Sequence, residues 1–198
     1  MAVPAGIYEP FQLTAADVNG PVRLVADVNG QLTGLPAGEV VVNANGAATA
    51  VTLQGVQELT LEGFTLRNAA RAAIEVRDSN DITLVSLVIR DNARDGIRLL
   101  QTSGARIWNN LLLRNGGAGV ALLNSAGVAV VNNTFYANRG NGLVIGLPEF
   151  PSSDVLARNN IFIANAPFGI LADPASAGID SDYNLNRDGY ANVSRGEK

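Results

Sequence analysis

The sequence predicts an all-β solenoid, with three short strands and about 23 residues in each coil. Residues 96–115 and 119–138 carry the same series of residue types, so that Gly119 repeats Gly96 and Asn138 repeats Asn115. The register extends over six units between residues 50 and 172, with a four-residue insertion after Ile145. A fixed period of this size indicates coils that bury their apolar faces only by stacking on one another.

The chain divides into three parts within one domain. Residues 1–49 contain short β-rich runs separated by turn signals such as Asn-Gly, which predict irregular N-terminal coils. Residues 50–185 carry the regular repeats, and residues 186–198 are expected to form a C-terminal tail.

Each regular unit resolves into three strands, shown by the unit that begins at Gly96. The first strand has a Gly-apolar-x-apolar pattern (96–99), the second spans 105–107, and the third is centred on Leu112. Because side chains alternate between the two faces of a strand, the residues that point inward can be read directly. The predicted inward columns are Val51, Leu53, Ile74, Val76, Ile97, Leu99, Val120, Leu122, Leu143, Ile145 and Ile170 on the first strand, Leu59, Leu61, Ile82, Leu84, Ile107, Val128 and Val130 on the second, and Leu66, Ile89, Leu112, Phe135 and Phe162 on the third.

Asparagines recur at two corners of the coil. Asparagine tolerates the left-handed backbone conformation of a sharp corner, and its amide both donates and accepts hydrogen bonds. We therefore expect identical corners to bond along the axis as structural ladders. One row is Asn110, Asn133 and Asn160, and the other is Asn92, Asn115, Asn138 and Asn165.

The segment 130–143, Val-Val-Asn-Asn-Thr-Phe-Tyr-Ala-Asn-Arg-Gly-Asn-Gly-Leu, resembles the repeat of right-handed parallel β-helix proteins of the pectate-lyase-like superfamily. The resemblance covers about residues 50–185. It implies the fold but leaves the function open, because the superfamily contains lyases, hydrolases, epimerases and non-catalytic modules. A leucine-rich repeat also fits residues 84–92, but the second half of each unit has no helical pattern.

Composition excludes several kinds of chemistry. The chain contains no cysteine and no histidine, which excludes thiolate or imidazole metal sites and any histidine base. The net charge is −4 with a single lysine, Lys198, so neither nucleic acid nor an anionic membrane is an expected partner. Residues 1–4 do not form a signal peptide, and we expect a secreted or cell-surface protein whose leader has been removed.

The resemblance implies that a ligand would lie along the outer face of the first strand. There the sequence places a charged cluster, and the candidates are Glu75, Arg77 and Arg98 for catalysis and Asp78 and Asp95 for ligand binding. A lyase could use an arginine to remove the proton α to a uronate carboxylate, with calcium held by acidic groups. The paired carboxyls of a hydrolase are not evident. The simpler interpretation is a surface salt-bridge patch.

Two aromatic residues are further candidates for ligand binding. Trp108 is expected to point outward from the second strand, where it could stack on a sugar, and Phe150 lies between prolines in the insertion, where it could form the wall of a sugar groove. Phe150 could equally belong to a loop that covers apolar surface.

The tail has alternating oxygen side chains at Asp180, Asp182 and Asn184, which suggest calcium. The spacing fails the EF-hand template from either possible start, and no cofactor is expected.

The outward positions of the later coils become apolar, which is unusual for the surface of a soluble monomer. We therefore expect this face to be covered by the tail, by a second copy or by another domain. The function favoured by the sequence is a non-catalytic carbohydrate-binding or scaffold module of a larger protein; the alternative is a polysaccharide lyase. The apolar outward residues are Leu100, Leu123, Val144 and Leu171 on the first strand and Leu111, Leu113, Tyr136, Ile161 and Ile163 on the third.

Overall fold

A computed structural model describes residues 1–193 of the chain, which form a parallel β-solenoid of three sheets with eight strands each. The final residues of the predicted tail, 194–198, lie outside the described part. Among the described residues, no helix is long and apolar enough to cross a membrane. The all-β, three-strand coil predicted from the repeat is confirmed.

The second, third and first strands of successive coils form sheets A, B and C, respectively. Sheet A contains β1 (Ala2–Pro4), β4 (Val22–Asp27), β7 (Leu59–Glu62), β10 (Thr83–Val85), β13 (Arg106–Trp108), β16 (Ala129–Val131), β19 (Ser153–Arg158) and β22 (Ala177–Asp182). Sheet B contains β2 (Gly6–Tyr8), β5 (Val40–Asn43), β8 (Thr65–Arg67), β11 (Val88–Arg90), β14 (Leu111–Leu113), β17 (Thr134–Tyr136), β20 (Ile161–Ile163) and β23 (Leu185–Asn186). Sheet C contains β3 (Phe11–Thr14), β6 (Thr49–Gln54), β9 (Ala72–Arg77), β12 (Asp95–Leu100), β15 (Val120–Leu123), β18 (Leu143–Ile145), β21 (Ile170–Ala172) and β24 (Tyr190–Ala191).

The axial register follows the predicted period. Ile97 is paired with Ile74 in the preceding coil and with Val120 in the next, each one repeat away along the chain. Leu143 is paired with Ile170, a longer step along the chain, because the insertion lengthens the turn between β18 and β19. The predicted inward columns are all buried, and they join one continuous core. Phe135 and Phe162 stack within it with ring centroids 4.6 Å apart.

The N-terminal residues join the same three sheets. Strands β1, β2 and β3 make a first coil, and β4 and β5 continue the second coil toward β6. A long turn, 28–39, interrupts that second coil after Asp27. The Asp27 carboxylate organises this turn by accepting hydrogen bonds from the backbone N–H groups of Leu32 and Thr33.

Both asparagine rows stack along the axis in the interior of the corners. The Nδ2 of Asn110 donates to the Oδ1 of Asn133 at 3.0 Å, and that same oxygen accepts from the Asn110 backbone N–H at 2.9 Å. In the second row, the Nδ2 of Asn115 donates to the Oδ1 of Asn138 at 3.0 Å. Each amide thereby satisfies buried polar groups of two coils, which an apolar side chain could not do.

The prediction that these asparagines adopt the left-handed backbone conformation is wrong. The residue directly before each of them adopts it instead. The left-handed residue of the first corner is Asn132 (φ 57°), directly before the stacked Asn133. At the second corner it is Arg114 (φ 52°), directly before Asn115. The stacked asparagines are therefore retained for their buried amides, whereas the bend falls on a neighbour that requires no amide.

A third row consists of hydroxyls and was not predicted. It lies at the corner between sheets C and A, where the Ser125 hydroxyl accepts from the Thr102 N–H at 3.3 Å and donates to the Leu123 carbonyl at 3.0 Å. Serine and threonine are so common in turns that their recurrence did not stand out in the sequence. The members of the row are Ser79, Thr102, Ser125, Ser152 and Ser176.

We predict that Asn133→Ala lowers the free energy of unfolding by about 3 kcal/mol, because it leaves several buried polar groups without partners. The matched change Asn132→Ala, at the exposed left-handed position, should cost only about 1 kcal/mol. Urea unfolding followed by circular dichroism measures both variants. Equal losses would contradict the division of roles between the two residues.

Candidate functional site

The charged cluster predicted on the first strand lies on the outer face of sheet C, and Glu75 is at its centre. The Glu75 Oε1 is 2.5 Å from both the Arg71 Nη2 and the Arg77 Nε. The side chain of Glu75 is only 2% exposed although its position points outward, because the arginines cover it. Its second oxygen, Oε2, is buried without a hydrogen-bond partner among the described residues.

Arg71 was missed by the sequence analysis. It lies in the turn before β9, where the inward–outward alternation of a strand does not apply. The recurrence of arginine at the equivalent position of the next coil, Arg94, is the signal that could have revealed it.

Arg98 and Asp95 lie in the next coil, on β12. Arg98 is paired in register with Glu75, and its Nη1 lies 3.4 Å from the Asp95 Oδ2. The other carboxylate oxygen of Asp95 accepts from the Ala118 N–H at 2.9 Å. Gly117 permits this approach, because a Cβ at that position would lie 2.4 Å from the Asp95 Oδ1.

Burial raises the pKa of the Asp95 carboxyl above its usual value, although the hydrogen bond from Ala118 and the charge of Arg98 act in the opposite direction. Asp95 therefore holds a proton more readily than an exposed aspartate does.

Two predicted site residues, Asp78 and Phe150, lie at the corner between sheets C and A. Asp78 follows β9 in a left-handed conformation (φ 48°) and is exposed. Phe150 is also exposed, and its carbonyl accepts from the Asn124 N–H at 3.1 Å, which places it beside the end of β15. Phe150 therefore lies further along the axis, beyond the coil that carries Arg98.

Trp108 points outward as expected, but it ends β13 in sheet A. It lies on a different face of the solenoid from Glu75 and Arg98, so the structure does not bring it into the cluster.

The three residues considered for calcium have separate roles. Asp180 forms an ion pair with Arg158, whereas the Asp182 carboxylate accepts from the Tyr183 N–H. Asn184 continues the first asparagine row, since its Oδ1 accepts from the Asn160 Nδ2 at 3.1 Å. Within residues 1–193, no group of three acidic side chains converges in a way that could hold a metal ion.

The apolar outward positions differ between sheets. On sheet C, Leu123 and Val144 are buried within the chain itself, so these two residues are not bare surface. On sheet B, Leu111, Tyr136 and Ile161 are exposed.

A shallow groove of about 770 Å³ runs along the corner between sheets B and C. Its floor contains small residues such as Ala70 and Ala93, and Asp91 and Arg114 line it. The hydrogen bond from Arg114 lowers the pKa of Asp91. This ion pair is separate from the Glu75 cluster. The charges of Asp91 and Arg114 offset each other.

The family profile described as "Right handed beta helix region" matches residues 49–196, and the chain belongs to this family. No curated protein sequence matches the chain.

Several solved structures are similar to it. A double mutant of the periplasmic alginate epimerase AlgG has a TM-score of 0.55 and 16% identity, over 88% of this chain and 53% of the epimerase. The mannuronan C-5 epimerase AlgE6 A-module of Azotobacter vinelandii has a TM-score of 0.52 and 17% identity, over 98% of this chain and 70% of the module. The Agl-KA catalytic domain has a TM-score of 0.51 and 14% identity, over 92% of this chain and 42% of that domain. At these identities the likeness shows the fold alone, and the chain spans about half the length of AlgG.

We predict that Asp95→Asn changes the pH dependence of stability. A raised pKa in the folded state favours folding below the usual carboxyl value of 3.8, and this contribution is lost as the pH rises through the folded-state pKa. Relative to Asp95→Asn, the wild type should therefore lose free energy of unfolding as the pH rises above 3.8.

Asp91→Asn is the matched control, because its pKa is lowered and the wild type should gain stability relative to this variant as the pH rises. Urea unfolding at a series of pH values gives both differences. Parallel profiles for the two variants would contradict the assignment.

Proposed function

We propose that the chain is a non-catalytic β-helix module that binds an acidic carbohydrate on the outer face of sheet C. The supporting observation is a set of arginines held by neighbouring carboxylates, Arg71 and Arg77 by buried Glu75 and Arg98 by Asp95. Arg71, Arg77 and Arg98 remain 43%, 36% and 33% exposed, so their guanidinium groups reach solvent while their positions are fixed. Planar guanidinium donors suit the carboxylate groups of uronic acids.

The local charge supports an anionic ligand. With Arg94, the cluster contains four arginines against three carboxylates, those of Glu75, Asp78 and Asp95, a net charge of +1 (4 − 3) on a chain whose net charge is −4. This local charge favours the approach of an acidic polymer to the face.

The surroundings of Glu75 support binding without catalysis. A general acid or base has to come within hydrogen-bond distance of the reacting group. Glu75 is buried and its Oε1 is occupied by two arginines, so its role is to hold them.

The alternative is a polysaccharide lyase or related carbohydrate-active enzyme that uses Arg98 as the base. The environment of Asp95 favours this alternative, because burial raises the pKa of a carboxyl beside Arg98 and a raised pKa suits a general acid. The epimerase activity named for two of the similar structures is compatible with uronate chemistry on this fold.

We further propose that the protein acts outside the cytoplasm, in the periplasm or beyond. The support is that AlgG, a similar structure, is a periplasmic enzyme.

We predict that the protein binds alginate and polygalacturonate oligosaccharides but not neutral dextran. Each guanidinium–carboxylate contact contributes about 1.5–3 kcal/mol, so Arg98→Gln or Arg71→Gln should weaken binding about 10- to 100-fold. Isothermal titration calorimetry at low and high salt measures the effect. Arg158→Gln, which changes an arginine paired with Asp180 on sheet A, is the control and should bind as the wild type does.

Equal affinity for neutral and acidic polymers, or an equal loss in the Arg158→Gln control, would contradict an anion-binding face and favour a scaffold role. The alternative is tested with the same polymers, with and without calcium. Release of unsaturated products that absorb in the ultraviolet, lost in Arg98→Ala, would establish the lyase.

A further inference from the structure

The groove at the corner between sheets B and C follows the solenoid axis past five successive turns, and its lining residues run from Gly46 to Arg139. Neighbouring coils lie about 4.8 Å apart, so four such steps make the groove about 19 Å long. Its volume of about 770 Å³ is therefore spread along the axis. This shape suits an extended chain better than a compact ligand.

The floor of the groove is one position of the turn, repeated in four coils. The position is occupied by Ala70, Ala93, Gly116 and Arg139, which are each 23 residues apart (93 − 70, 116 − 93, 139 − 116). The backbone N–H groups of Ala93, Gly116 and Arg139 each donate to a carbonyl of the preceding coil at 2.8 Å. A Cβ at Gly116 would lie 2.2 Å from the Ala93 carbonyl oxygen, so the floor stays low there. The floor thus runs over three small residues and ends at a guanidinium group.

The charge of the lining favours an anion. The Arg114 Nε and Nη2 lie 2.9 Å and 3.1 Å from the two oxygens of Asp91, so this guanidinium is held in place and its charge is offset. Arg139 forms no ion pair within residues 1–193. With two arginines and one carboxylate, the lining carries a net charge of +1 (2 − 1), whereas the whole chain carries −4.

The polar groups of the groove suit a sugar chain better than a peptide. Asn68 is exposed near the other end, where its Nδ2 donates to the Asn43 Oδ1 at 2.9 Å and its own Oδ1 remains able to accept from a hydroxyl. The strands on both sides, β8, β11 and β14 in sheet B and β9, β12 and β15 in sheet C, are paired on both edges. A peptide therefore cannot add to either sheet as a further strand.

We infer that this groove is a second carbohydrate-binding site, which holds an extended chain of uronic acid residues parallel to the solenoid axis. The class of ligand rests on the function proposed above, but the site is a different one, because no residue that lines the groove belongs to the Glu75 cluster. Arg139 binds a carboxylate at one end, and Asn68 binds hydroxyl groups at the other.

The two sites lie side by side, and each takes its own chain. Arg71 and Arg94 directly follow Ala70 and Ala93 of the groove floor, so arginines stand between the groove and sheet C. Their positive charges reduce the repulsion between two bound polyanions.

Isothermal titration calorimetry with alginate oligosaccharides of increasing length tests this inference. We expect two oligosaccharides per protein chain, with an affinity at the groove that rises until the ligand spans its length. Arg139→Gln removes one guanidinium–carboxylate contact and should weaken one of the two sites about tenfold or more. Arg106→Gln is the matched control, because Arg106 is also exposed and without an ion pair in the described chain but lies on sheet A.

A second pair of variants tests the shape of the groove. Ala93 is exposed on the floor, so Ala93→Tyr fills the groove without entering the core and should remove one of the two sites. Ala175→Tyr, at an exposed alanine in the turn between sheets C and A, should bind as the wild type does. Thermal unfolding followed by circular dichroism checks that both variants are folded.

The outcomes separate this inference from the function proposed for sheet C. If Arg139→Gln and Ala93→Tyr bind as the wild type does while Arg98→Gln weakens binding, the groove is not a site and the proposed function stands. If the first two variants weaken binding and Arg98→Gln does not, the groove is the site and the sheet C proposal is wrong. Absence of binding to any acidic oligosaccharide overturns both. Poly-glutamate that binds the groove as tightly as alginate would overturn the assignment of a carbohydrate ligand.

Discussion

The structure depends on one constraint: each residue lies directly above its equivalent in the next coil. Backbone hydrogen bonds between strands run along the axis, so every position forms a column whose members share one environment. An apolar residue in an inward column is buried by its neighbours above and below. A buried polar residue has to find its partners in its own coil or in the adjacent coils.

The corners show how the chain meets this requirement. Asparagines fill two rows and hydroxyls a third, and each row accepts hydrogen bonds from backbone N–H groups of the adjacent coil. The left-handed bend is made by the residue directly before the stacked asparagine. In different coils this residue is Asn132, Arg114 or Ala137. The left-handed bend and the buried hydrogen bonding are thereby divided between neighbouring residues.

The same columns assemble the charged face of sheet C. Glu75 and Arg98 are a full repeat apart in sequence but adjacent in register. The face is also where the outward column changes from polar to apolar, since Ala121 and Val144 follow Arg98 and are buried. The charged part of the face is therefore bounded on one side by an apolar part of the same chain, and on the other by Thr52 of the preceding coil.

The sequence by itself determined the fold, the period, the inward columns and the membership of Glu75, Arg77, Arg98 and Asp95 in one cluster, because a strict repeat converts sequence distance into spatial position. It could not determine how deeply Glu75 is buried, since that depends on the direction of the Arg71 and Arg77 side chains. It also placed the bend on the stacked asparagines rather than on the residues directly before them, because asparagine tolerates a left-handed conformation that Arg114 and Ala137 in fact adopt. Only the tertiary structure revealed the hydroxyl row and placed Arg71 on Glu75. Each of these depends on three-dimensional neighbours in turns, where the repeat no longer fixes which residues meet.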